Sequence, residues 1–65
     1  MGLYRCYFFN NDDYVLKVET ADHPNDNTAL DWCLLLWRAY PQYRAIEVWT
    51  EDRLVTRQGG ERVKK

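Results

Sequence analysis

Hydrophobic and polar residues alternate along two stretches of this chain and follow a helical period along a third. Residues 14–20 alternate strictly. Tyr14, Leu16, Val18 and Thr20 share one face of an extended strand, and Val15, Lys17 and Glu19 share the other. Residues 44–50 alternate again, with Ile46 and Val48 on one face and Glu47 and Trp49 on the other. Residues 3–9 are rich in aromatic side chains and end at Asn10-Asn11-Asp12-Asp13. Asn and Asp bond to their own backbone and tolerate turn conformations, so residues 3–20 are predicted to form a hairpin. Glu51-Asp52 is a second turn, without the Gly that a primed hairpin turn prefers. Residues 53–57 return from it as the last strand, with Trp49 opposite Leu54 and Val48 opposite Val55.

Between the hairpins, residues 22–27 supply several helix caps. Asn25 is the expected N-cap, and Asp26 in the first turn complements the positive end of the helix dipole. The helix runs to about Tyr40 and is stopped by Pro41. The order strand, strand, helix, strand, strand predicts an α+β fold: a four-stranded antiparallel sheet with the helix on one face, for which 2-1-3-4 is the expected order, although the two hairpins can also pair otherwise. Residues 1–57 make this single domain. Residues 58–65 lack apolar periodicity and are expected to form a flexible, charged C-terminal tail.

The run Trp32-Cys33-Leu34-Leu35-Leu36-Trp37 covers every side of the helix, whereas a helix lying on a sheet needs only one apolar stripe. With Cys33 at the centre of the inward face, Ala29, Leu30, Leu36, Trp37 and Tyr40 fall within roughly 60° of it. Thr28, Trp32, Leu35 and Ala39 then form a second strip with the spacing of a helix–helix seam. That strip is one candidate interface. Burying one Leu and one Trp there contributes about 2–5 kcal/mol to pairing before entropic costs.

The uncovered sheet face is the other candidate. Arg5, Tyr7 and Phe9 of the first strand and Val15, Lys17 and Glu19 of the second are expected to line it. Glu47 and Trp49 of the third strand and Leu54 and Thr56 of the fourth complete it. Aromatic and basic residues on an open sheet suit RNA stacking, and Tyr, Trp and Arg also favour protein interfaces.

Composition narrows these options. Sixty-five residues allow one domain, and so small a domain gains from self-association. Three Trp, five Tyr and two Phe argue for a packed core. A net charge of −1 carries no footprint for nucleic acid or an anionic membrane. The longest apolar run is far short of the roughly 18 residues of a membrane span, and the N-terminus lacks a secretory pattern. Cys6 is at the sixth position, where an acylation signal would place Ser or Thr.

Chemistry finds little support. His23, the only histidine, lies in the polar connection, while Cys6 and Cys33 occupy inward positions where thiols behave as small apolar groups. Nucleophilic catalysis needs a thiol and His23 within hydrogen-bond reach, and zinc needs about four ligands. Catalytic, metal and cofactor residues are therefore expected to be none. Asp12-Asp13 and Glu51-Asp52 are explained by turn chemistry. A Cys6–Cys33 disulfide becomes possible if the first strand lies under the helix.

Tyr4-Arg5-Cys6-Tyr7-Phe8, Glu47-Val48-Trp49 and Arg53-Leu54-Val55, with Ala29 and Cys33 at small helix positions, resemble a group of very short, uncharacterised alphaproteobacterial proteins. The resemblance covers most of the chain up to about Arg57. It implies a ββαββ layout and a bacterial cytoplasmic setting, and supplies no activity. Members of that group usually have a Gly in each hairpin turn and a shorter, more polar helix. The expected role is a non-enzymatic interaction module that forms a homodimer or meets a protein partner. The alternative is RNA or single-stranded nucleic acid bound on the open sheet face.

Overall fold

The computed structural model describes residues 2–59. Its elements are β1 (Gly2–Phe9), β2 (Val15–His23), α1 (Asp26–Ala39), β3 (Ala45–Thr50) and β4 (Arg53–Gly59). The strands pair antiparallel in the order β2-β1-β3-β4, with the helix on one face. This is the predicted α+β architecture.

Local chemistry accounts for the ends of the elements. Asn25 Oδ1 accepts hydrogen bonds from the Thr28 backbone N–H at 2.9 Å and from the Thr28 hydroxyl at 3.0 Å, which caps the first turn of α1. At the other end the Tyr40 N–H donates to the Trp37 carbonyl, and Pro41 follows. The first hairpin closes without glycine because Asn10 Oδ1 accepts from the N–H groups of Asp12 and Tyr14. Asp13 supplies the left-handed residue at φ 67°. In the second hairpin Glu51 occupies φ 53°, a conformation that costs a non-glycine residue about 1 kcal/mol. The Arg5 guanidinium ties this turn down by donating to the Glu51 carbonyl.

The core is Tyr4, Cys6 and Phe8 of β1, Ile46 and Val48 of β3, and Ala29 and Cys33 of α1. Tyr43 packs against it from the loop after the helix, with its ring 5.2 Å from that of Phe8. Cross-strand register explains why the core stops at the two central strands. Phe8 pairs with Lys17 and Ile46, and Cys6 pairs with Glu19 and Val48. On β4, Ile46 pairs with Gln58 and Val48 with Thr56. A helix is about 10–12 Å wide and four strands span about 19 Å, so α1 lies over the central pair and meets the outer strands chiefly through Trp32 at His23 and Trp37 at Gly59. On this side the outer strands carry Lys17, Glu19, Thr56 and Gln58.

This register corrects several expectations. Lys17, Glu19 and Thr56 lie on the helix side of the sheet, not on its open face. Lys17 bridges to Glu19 at 3.0 Å and lies over the Tyr40 ring. Val18 takes the open side, opposite Tyr7. Two irregularities cause the changes: the register shifts between Phe8 and Phe9 on the β1–β2 ladder, and between Val48 and Trp49 on the β3–β4 ladder. The second leaves Trp49 opposite Leu54 as expected but puts Thr56, not Val55, opposite Val48.

Strand β2 also continues to His23, which was expected in a loop. Strand β4 continues through Gln58 to Gly59, two residues into the stretch expected to be tail, and residues 60–65 of that stretch lie outside the described residues. Gly59 has φ +72°, and a Cβ there would lie 2.3 Å from Cη2 of Trp37. Glycine is needed on both counts.

Candidate functional site

The open face is built of cross-strand rows. Val15, Phe9, Ala45 and Gly59 form one row, and Val18, Tyr7, Glu47 and Arg57 the next. Thr20, Arg5, Trp49 and Leu54 form a third, beyond which Leu3 lies opposite Asp22. Leu3, Val15, Val18 and Leu54 are 44–55% exposed, while Tyr7, Phe9 and Trp49 are half-buried. A shallow depression of about 380 Å³ lies between Arg5, Tyr7, Phe9, Glu47 and Trp49. On the open side the outer strands thus present Val15, Val18 and Leu54 among polar Thr20, Asp22 and Arg57.

The charges at the centre of this face are paired within the chain. Arg57 bridges to Glu47 at 2.7 Å and to Asp13 at 3.2 Å, with its guanidinium over the Phe9 ring. Glu47 also accepts from the Trp49 indole N–H at 2.9 Å. Arg5, besides binding the Glu51 carbonyl, lies over Tyr7. These pairs lower the cost of removing the face from water, because no charge among them is left without a partner.

The helix strip is thinner than the sequence suggests. Thr28, Leu35 and Ala39 are exposed, Leu35 at 64%. Trp32 is half-buried instead and packs toward the core, its ring 4.8 Å from that of His23. The wheel places Trp32 outward, but the extension of β2 to His23 provides it with a partner. Leu34 packs against the core as well.

His23 lies between Trp32 and Tyr4, and its buried Nε2 has no hydrogen-bond partner in the structure. The thiol of Cys6 meets that of Cys33. That hydrogen bond, with burial second, pushes Cys6 far above the usual thiol range, so it carries no nucleophilic thiolate in the folded state. Among the described residues no group of three or more His, Cys, Asp and Glu is arranged to hold a metal. None of their helices is long and apolar enough to cross a membrane.

Asp26 joins three elements on the helix side. Its carboxylate accepts from the Tyr4 hydroxyl at 2.7 Å and from Arg53 at 3.1 and 3.2 Å. Hydrogen bonding to Arg53, then to Tyr4, holds the Asp26 carboxyl below its usual range, and the same carboxylate holds the Tyr4 hydroxyl above its own. A depressed carboxyl contributes stability that is complete above its unfolded value, near pH ~4, and is lost as pH falls through the lower folded value. Thermal unfolding followed from pH 7 downward is expected to show this loss, and Asp26→Asn to flatten the acid limb. Identical acid limbs in the two proteins would refute the linkage.

No family model, curated protein or solved structure matches this chain.

Among the residues now placed on the open face, Val18 was assigned by alternation to the opposite side. Arg57 and Asp13 were missed as the charges that neutralise its centre. No local pattern reveals the register shift at Phe8/Phe9. The Lys17 and Glu19 pair was a usable hint, because long charged side chains suit the flank of a helix as well as an open surface.

Proposed function

We propose that this protein is a non-enzymatic interaction module whose open sheet face packs against a second copy of itself. One observation carries the reading: the outer strands turn Val15, Val18 and Leu54 to the uncovered side while placing Lys17, Glu19 and Thr56 beside the helix. Exposed apolar residues on both edges of an uncovered face that also carries Tyr7, Phe9 and Trp49 suit association. Size sets the strength. Strands ~4.8 Å apart and about seven residues long give a flat footprint of roughly 440 Å². Two such faces bury roughly 900 Å², at the weak end of specific interfaces. The dimer is thus expected to be dynamic, with a dissociation constant in the micromolar to millimolar range. A bacterial cytoplasmic setting belongs to the same proposal and rests on the resemblance noted above.

RNA binding on this face has less support. Stacking platforms combine aromatic rings with cations that track phosphates, and here Arg57 and Arg5 already serve Glu47, Asp13 and the Glu51 carbonyl.

Sedimentation velocity over a concentration series tests the proposal. The wild type should shift from monomer toward dimer as concentration rises, Val18→Glu should remain monomeric with unchanged circular dichroism, and Leu35→Glu should behave as wild type. A wild type still monomeric at about 1 mM sinks self-association. Loss of the dimer in Leu35→Glu alone would move the interface to the helix strip.

A further inference from the structure

We infer that Cys6 and Cys33 form a latent covalent site, a thiol pair that closes to an intramolecular disulfide when the folding chain meets a small-molecule disulfide. The two residues are fully buried in the same core, one on β1 and one on α1, and their thiols are in hydrogen-bond contact. They are the only cysteines in the chain, so no other intramolecular pairing competes. Ala29, one turn before Cys33 and also fully buried, keeps this helix face small and lets the helix sit close to β1.

The native state protects the pair, because exchange requires access to a thiolate, both sulfurs are fully buried, and the contact and burial push the Cys6 thiol above its usual range. Reaction therefore proceeds from the opened chain. One thiolate attacks the reagent's S–S bond and forms a mixed disulfide, and the second displaces the reagent's remaining thiol. Two protons and two electrons leave the cysteines, one S–S bond forms in the protein, and the reagent's S–S bond becomes two thiols. The cross-link closes the loop from residue 6 to residue 33, which contains all of β2. Because Cys6 faces the helix, the open sheet face is untouched, and this inference is independent of the proposed self-association.

The test is oxidative refolding of the full chain from the reduced, unfolded state in a mixture of oxidised and reduced glutathione. The expected product is monomeric by non-reducing electrophoresis and about 2 Da lighter than the reduced protein. Non-reducing digestion should link Cys6 to Cys33, circular dichroism should be unchanged, and the melting temperature should rise by on the order of 10 °C. A reductant should reverse the rise. Cys33→Ala should show neither the mass loss nor the rise; if it fails to fold, Cys6→Ala serves as the control. Recovery of two free thiols, of glutathione adducts, of chains linked to one another, or of a linked chain that melts below the reduced one overturns the inference.

Discussion

Phe8→Ala is expected to destabilise the domain by about 3–5 kcal/mol, the usual cost of emptying a buried phenylalanine site. A domain of this size has roughly 3–10 kcal/mol in total, so most of the stability would go. Phe8 is fully buried at the centre of the sheet, where it pairs with Ile46 and Lys17. Its ring meets Tyr43 at 5.2 Å and Tyr40 at 6.4 Å, both in the segment that leads from the helix to β3. Truncation leaves that segment without a floor. Urea unfolding of the variant measures the loss, and a change below about 1 kcal/mol would show that the site collapses and that Phe8 is not the central anchor.

Trp37→Ala is expected to cost about 3 kcal/mol, the lower end of the range for a large aromatic residue, because the ring is only partly covered. Trp37 closes the end of the domain where the helix, the following loop and the last strand meet. Its indole N–H donates to the Tyr43 carbonyl at 2.8 Å, and its ring lies against Gly59. Trp37→Phe separates the two contributions. It keeps most of the packing and loses one hydrogen bond, so its expected cost is about 1 kcal/mol. Equal destabilisation by the two variants would place the whole effect in the hydrogen bond, and no effect from either would remove Trp37 from the packing altogether.

The fold was largely legible because its determinants are local. Asn25 caps the helix, Pro41 follows its end, Asn10 organises the first turn, and the alternation through β1 and β3 places Cys6, Phe8, Ile46 and Val48 inward. The candidate site was half legible. Arg5, Tyr7, Phe9, Trp49 and Leu54 lie on the open face as alternation requires, whereas Lys17 does not and Trp32 is not a free seam residue. Leu16 and Val18 made an apolar face for β2 that looked like core. In the fold the register shift turns Val18 to the side opposite the helix.

The sequence by itself determined the order of the elements, their turns and caps, and the pairing of strands within each hairpin. Each depends on interactions within a few residues or on the short connections that keep hairpin strands adjacent. The β1–β3 pairing that joins the two hairpins is instead made between residues about 40 positions apart. Only the tertiary structure decided which face of β2 meets the helix, where β4 ends, and which apolar residues stay uncovered. Those outcomes depend on the register shifts in two ladders and on the width of one helix laid across four strands. A shift of one residue sends every later side chain to the opposite face, and no local pattern records it.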